Sequence, residues 1–286
     1  MTGKLYLVGT PIGNLEDMTY RAIRILKEVD LIAAEDTRHT GKLLTHFEIN
    51  TPSTSYHEHN EKEKSSTLIE KLLQGKDIAL VTDAGMPTIS DPGYRLVSKI
   101  WENNLEVITV PGPTALISAL AMSGMPTDRF SFEGFLPRKK RQRESKLQEL
   151  ITETRTMIFY EAPHRLLKAL KSVEKVFGVD RVIMVARELT KKHEEKIRGK
   201  VGDVIAHFEK NQPKGELVIV INGSNPEDLK EEKLGWEDMT VLEHLYTLID
   251  AGLTKKQAIK KVAKERDLPK KQVYKTAIQI EAKKRT

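Results

Sequence analysis

The chain has 286 residues, a formal net charge of +6 and no cysteine. That length suits about two domains with a proper core and excludes a disordered chain, while the missing cysteine excludes a disulfide framework, a thiolate zinc site and a thiol nucleophile. No run of about eighteen uncharged apolar residues occurs, and Met1-Thr-Gly-Lys-Leu-Tyr-Leu-Val-Gly begins a strand pattern and not a signal peptide, so the expectation is a soluble, cytoplasmic protein with no membrane partner.

Lys4-Leu-Tyr-Leu-Val predicts the first strand and residues 19–27 a helix; Leu31-Ile-Ala-Ala and residues 37–47 repeat the pair. After Ser53-Thr-Ser-Tyr come a helix at 65–74, a strand at 77–82, a loop, and a helix at 94–102. A strand at 106–110 and a helix at 114–123 complete this half. Alternation of this kind predicts a mostly parallel sheet flanked by helices, an α/β fold. The cycle restarts after Gly124-Met-Pro-Thr-Asp, with strands at 130–135, 157–160, 181–186 and 216–221 and helices at about 139–153, 164–177 and 201–210. A boundary near 112–128 therefore separates a first α/β domain, 1–112, from a second, 113–223.

A third section, 236–286, begins around Trp236 and holds twelve Lys+Arg against seven Asp+Glu, nearly all of the net charge. Helices at 240–249, 254–265 and 270–280 follow, the first ending at Gly252, a residue suited to a left-handed cap. Ala258, Val262 and Ala263 are expected inside, with lysines outside, and the last two helices look like a helix-turn-helix. A basic module on a balanced body points to a polyanion; a solubilising three-helix appendage is the alternative.

Three loops follow strands of the first half and are rich in small residues: Gly9-Thr-Pro-Ile-Gly-Asn, Asp83-Ala-Gly-Met-Pro-Thr-Ile-Ser-Asp-Pro-Gly and Pro111-Gly-Pro-Thr-Ala. Ligands of parallel α/β sheets sit beyond the carboxyl ends of strands, where small residues let a ligand reach backbone groups. Asp91 with Pro92 reads as a helix N-cap followed by proline at the first helical position. None of the loops is a phosphate loop or a dinucleotide fingerprint, and Ile12, Met86 and Ile89 offer an apolar slot.

Thr82-Asp-Ala-Gly-Met-Pro-Thr-Ile-Ser-Asp-Pro-Gly93, with Val8-Gly-Thr-Pro-Ile-Gly-Asn-Leu-Glu-Asp and Ala34-Glu-Asp-Thr-Arg, closely resembles the tetrapyrrole methylase family, in its branch that modifies small-subunit ribosomal RNA. The likeness runs over about residues 3–223, and the tail resembles that branch's helix-turn-helix region; Thr82 stands where the family usually has Ser. It implies a two-domain class III methyltransferase fold, usually a homodimer, with S-adenosylmethionine folded in the cleft between domains. Carried onto this chain, the cofactor contacts fall on Gly9, Pro11, Ile12, Gly13, Ala84, Gly85, Met86, Ile89, Pro111, Gly112, Thr114, Ala115, Glu161 and Leu189. The implied reaction is methylation of the ribose 2′-hydroxyl of a decoding-centre cytidine in 16S ribosomal RNA. A tetrapyrrole-like small molecule is the other substrate class, but other branches carry Gly-x-Gly-Pro-Gly-Asp where this chain has Thr10-Pro-Ile-Gly-Asn.

The absence of cysteine agrees with transfer to oxygen, which needs no thiol nucleophile. Such a transfer depends chiefly on alignment, with a carboxylate or histidine taking the hydroxyl proton late. Asp83 and Glu161 stand at the right loops, with Glu35, Asp36 and His164 adjacent; each fits a helix cap or an arginine partner equally well. His57-Glu-His59 lacks a third ligand nearby and reads as a solvated loop, so no metal is expected. Arg138, Lys139, Lys140, Arg141 and Arg143, with Lys270 and Lys271 in the tail, are the candidate RNA contacts; a mobile surface loop is the alternative for the first group.

Overall fold

The computed structural model describes residues 1–225, 227 and 239–283; the expected start of the third section at Trp236 lies outside the described residues. Met1–Gly223 form one compact unit and Ser224–Thr286 another.

The first unit carries two five-stranded sheets. In chain order the first half reads β1 (Lys4–Val8), α1 (Tyr20–Glu28), β2 (Leu31–Ala34), α2 (Thr37–His46), β3 (Ser53–Ser55), α3 (Glu61–Leu73), β4 (Ile78–Val81), α4 (Tyr94–Glu102) and β5 (Glu106–Val110). Its strands lie in the order β3-β2-β4-β1-β5, and every pairing is parallel. Central β4 is buried along its whole length, because helices cover both faces of a parallel sheet. Ala22, Leu26 and Leu44 pack beneath Val8 and Ile32; Leu68, Leu72 and Leu96 pack on Leu5 and Leu80 from the other side. Thr19 caps α1 by accepting from the Ala22 N–H, and Asp36 caps α2 by accepting from that of Arg38.

Two helix starts differ from expectation. The third helix begins at Glu61, not Ser65, since its polar first turn carries two glutamates that suit a helix N-terminus. Gly93, at φ 139°, caps the next helix, displacing the expected Asp91–Pro92 start. A Cβ on Gly93 would lie 2.9 Å from Leu80 Cδ2, so the chain must turn there through a residue without one. Asp91 is thereby released from capping and hydrogen-bonds to the Thr82 side chain instead.

The second half continues with α5 (Ala115–Met122), β6 (Phe130–Phe135), α6 (Lys140–Glu149), β7 (Thr156–Glu161), α7 (Leu166–Phe177), β8 (Val182–Arg187), β9 (Glu195–Lys200), α8 (Val201–Lys210) and β10 (Leu217–Ile221). Its order is β6-β7-β10-β8-β9, with β6 and β7 parallel and the other three pairings antiparallel. Strand β9 is the element that the sequence pattern does not show. It reverses the chain, so β10 enters antiparallel between β7 and β8, and the sheet is mixed instead of repeating the first. Helix α6 is also shorter than the expected 139–153. Leu116, Ala119 and Leu120 of α5 pack on Ile158, Met184 and Val220, and Ile12 from the first loop joins that same cluster.

In the second unit, Val241–Asp250, Lys255–Glu265 and Lys270–Lys283 are helical and enclose Leu245, Ala258, Val262, Ala263, Val273 and Ala277. Thr240 with Glu243, and Thr254 with Gln257, form reciprocal capping boxes. His244 is buried, with its Nδ1 accepting from Arg266 Nε at 3.2 Å and its Nε2 3.2 Å from Glu265 Oε2. Among the described residues no helix is long and apolar enough to cross a membrane.

Candidate active site

The three small-residue loops form one wall. The Thr10 N–H donates to the Gly85 carbonyl at 2.9 Å, the Gly85 N–H returns to Thr10 at 3.0 Å, and Thr10 Oγ1 donates to the Thr82 carbonyl at 3.1 Å. Gly85 sits at φ 86°, a conformation that suits glycine. The first and third loops meet without side chains between them: a Cβ on Gly9 would fall 2.7 Å from Gly112 Cα and 2.8 Å from Met86 Sδ.

This wall and the second sheet enclose a cleft of about 590 Å³, within the range of small-molecule sites. Of the residues the resemblance assigns to the cofactor, Ile12, Ala84, Gly85, Met86, Ile89, Thr114, Ala115, Glu161 and Leu189 line it. Pro11 and Gly13 line an adjoining recess of about 450 Å³ instead. Gly9 and Gly112 pack against each other and, with Pro111, line neither cavity. Ile89, 45% exposed, and Phe135, 55% exposed, sit at the cleft as uncovered apolar chains. Phe135 meets the Tyr160 ring edge-on at 5.7 Å. Thr88 and Ser90 have positive φ angles of 78° and 65°, and Glu188 and Thr190, on the loop carrying Leu189, have 52° and 66°; such backbone strain gathers at functional sites.

The carboxylates fall into different settings. Glu35 Oε2 accepts from Thr82 Oγ1 at 2.5 Å and from the Asp83 N–H at 3.4 Å. Asp83 Oδ1 accepts from the Asp36 N–H at 3.2 Å, and burial, then the Glu35 charge, pushes its carboxyl up. Asp91 is pushed up to about 6 by burial first and Glu35 second. Glu161, 2% exposed, accepts from the Ala162 N–H at 2.8 Å and pairs with Arg165 Nε at 3.1 Å. Burial raises its carboxyl, opposed by those same two partners. Asp36 is committed to Arg38, whose guanidinium holds it well below the usual carboxylate range. Asp36 and His164 line neither cavity, whereas Glu35, Asp83 and Glu161 line the cleft, and of these three only Asp83 also borders the recess.

One expected RNA contact is overturned. Arg143 is 5% exposed; it donates to Ser172 Oγ at 2.9 Å and to the carbonyls of Pro137 and Arg138 at 3.3 and 3.1 Å, stapling the start of α6 to α7. A charge run on one helix turn points in all directions, and this arginine is the one that faces the interior. Arg138, Lys139, Lys140 and Arg141 are exposed, as are Lys270 and Lys271. Sequence reasoning also missed Asp91, Phe135, Lys191 and Glu216 in the cleft lining. Asp91 lies inside the recognised loop and only its local cap chemistry misled; Lys191 and Glu216 carry no local signal.

Residues 4–205 match the family model of tetrapyrrole (corrin/porphyrin) methylases. The chain belongs to this family. Tetrapyrrole methylases of known structure share its α/β fold of two sheets. A uroporphyrin-III C-methyltransferase from Thermus thermophilus superposes with TM-score 0.53 at 20% identity, covering 76% of this chain and 94% of that one. A cobalt precorrin-4 methyltransferase of cobalamin biosynthesis gives TM-score 0.57 at 16% identity, covering 77% and 94%. Much greater sequence identity links the chain to family members named ribosomal RNA small subunit methyltransferase I. The protein of that name from Synechocystis is 52% identical over 98% of this chain and 99% of its own length; that from Bacillus subtilis is 50% identical over 95% and 93%. The one from Thermotoga maritima is 52% identical over 221 residues, which are 77% of this chain but 99% of the relative.

Proposed function

We propose that the chain is an S-adenosylmethionine-dependent methyltransferase of the small ribosomal subunit, acting on the ribose 2′-hydroxyl of a cytidine in 16S ribosomal RNA. The reading has residues 1–112 and 113–223 as the two halves of the cofactor cleft, 236–286 as an RNA-binding module, and a cytoplasmic homodimer as the working form. Near-full-length identity to relatives of that name supports the reaction class. The observation that carries the mechanism is the position of Asp83, on the wall shared by the cleft and the recess.

The residues present fit the cofactor. Ile12, Met86, Ile89 and Leu189 provide apolar surface for its purine ring and methylene groups. Small-residue loops and the start of α5, where Thr114 makes no side-chain cap bond, leave backbone groups for its polar ends. Glu35, Asp83 and Asp91 suit a sulfonium charge. When bound, the cofactor supplies an activated methyl group. The chain's own work is then to hold the acceptor hydroxyl in line and remove its proton. Asp83 is the base in this reading, since its raised carboxyl binds a proton more readily than an ordinary aspartate. Phe135 and Ile89 restrict water at the mouth. Glu161, held by Arg165, positions the start of the segment after β7. Arg138, Lys139, Lys140, Arg141, Lys270 and Lys271 are the phosphate contacts.

The test is nucleoside mass spectrometry of ribosomal RNA from unmodified small subunits incubated with the protein and methyl-labelled S-adenosylmethionine. Label in a ribose-methylated cytidine is expected; bound cofactor with no labelled nucleoside would overturn the ribosomal substrate.

A further inference from the structure

A transfer between two substrates needs two adjoining sites, and the cleft has a neighbour of about 450 Å³ that shares Ile12, Asp83, Ala84, Lys191 and Glu216 with it. Charge separates the two cavities. The cleft is lined by five carboxylates (Glu35, Asp83, Asp91, Glu161 and Glu216) against one cation, Lys191. That lysine is already engaged, 2.9 Å from Glu188 Oε1 and 3.2 Å from Glu216 Oε2. The recess keeps only the two shared carboxylates, Asp83 and Glu216, and adds His39 and Lys42. Both lie on α2, three residues apart and hence on one helix face, with Leu43 beside them. Both are exposed, and no ion pair engages either among the described residues. Pro11, Leu15 and Leu43 give the recess apolar surface, and the hydroxyl-bearing Thr10 and Thr40 line it too.

We infer that this recess holds the acceptor nucleoside, with His39 and Lys42 receiving the phosphates that flank it and Asp83 facing the reacting hydroxyl across the shared wall. The inference rests on the RNA-methylation reading and adds to it the place of the acceptor and the residues that select it. A cationic methyl donor is favoured where carboxylates crowd; a polyanionic strand is favoured where an imidazole and an unpaired ammonium stand. Loop identity enters here as well, because Pro11, which stands where the Gly-x-Gly-Pro-Gly-Asp pattern of other branches has its second glycine, lines the recess and not the cleft. Gly13 closes the shared wall against the Lys191 arm, where a Cβ would fall 2.4 Å from Lys191 Cγ.

The experiment compares the full-length wild type with His39→Ala, Lys42→Ala and the double variant, and with Lys62→Ala, an exposed lysine on α3, as control. KM for unmodified small subunits is measured at several salt concentrations, and cofactor affinity by calorimetry. The double variant is expected to raise KM about tenfold, and Lys42→Ala to lower the slope of log KM against log salt by about one, with cofactor affinity kept within about twofold. The control should move neither. An unchanged KM and slope in the double variant, with the wild type active on RNA, would overturn the inference alone. Loss of cofactor affinity would also overturn it, placing these residues in the cofactor site. A wild type that transfers methyl to no RNA would overturn the reading and the inference together.

Discussion

The two walls of the cleft treat their acids in opposite ways. On the second sheet's side every acid has a cation: Glu161 is closed off by Arg165, and Glu188 and Glu216 share Lys191. On the first sheet's side Glu35, Asp83 and Asp91 hold one another through the Thr82 hydroxyl and backbone N–H groups, with no arginine or lysine among the described residues hydrogen-bonded to them. Burial raises the carboxyl of Glu161 as it does those of Asp83 and Asp91, but Glu161 is tied to an arginine, whereas Asp83 and Asp91 face the Glu35 charge, which raises them further. Under the proposed function, the difference assigns the proton transfer to the first sheet's side.

The sharpest way to break this comparison is Asp83→Ala. Loss of a general base is expected to lower kcat by about 10² to 10⁴, measured at saturating cofactor as labelled methyl incorporated per minute; a variant with full turnover would remove Asp83 from the mechanism. Next in size is Arg165→Ala, which strands the buried Glu161 carboxylate and should cost about 3–5 kcal/mol of stability in denaturant unfolding. Glu161→Gln, which removes the charge instead of the partner, should cost less, and the reverse ranking would mean that Glu161 is not held as a paired structural acid. Smaller again is the Lys270→Ala/Lys271→Ala pair, expected to lower the salt slope of RNA KM by up to about two without changing cofactor affinity.

The mildest test uses pH. Asp91, at about 6 when folded against an ordinary 3.8, binds more protons folded than unfolded between those values. Stability is therefore lost as pH rises through that window, and the full cost is present above it. Asp91→Asn cannot ionise, so it should melt a few degrees above wild type at pH 8 and show a smaller gain at pH 4, read by thermal unfolding. An equal gain at both values would show that ionisation is not the cause.

The wall of loops was readable in the chain because its physics is local: small residues directly after the carboxyl ends of parallel strands leave backbone groups open where ligands of such sheets sit. The mixed sheet was not, because Glu195-Lys-Ile-Arg-Gly-Lys is an edge strand whose side chains alternate between half-buried and exposed, leaving no apolar run to detect. Asp91 was misplaced by a sound local rule that a tertiary hydrogen bond overrode. Arg143 shows the same limit from the other direction, since a run of like charges does not reveal which member turns inward. Of the recess, the two small-residue loops were visible in the sequence but the α2 side and Lys191 were not, because residues so far apart in the chain meet there only on folding.

The contact between Gly9 and Gly112 has a consequence for anyone wishing to give this scaffold a new substrate. With only backbone at the joint, and Met86 sulfur wedged beside it, these loops behave as one rigid hinge pin: a methyl group at either glycine pries apart the whole wall. Redesign has little freedom there. Retargeting has to proceed through the exposed face of α2, where His39 and Lys42 can be exchanged without disturbing the joint that aligns the reaction.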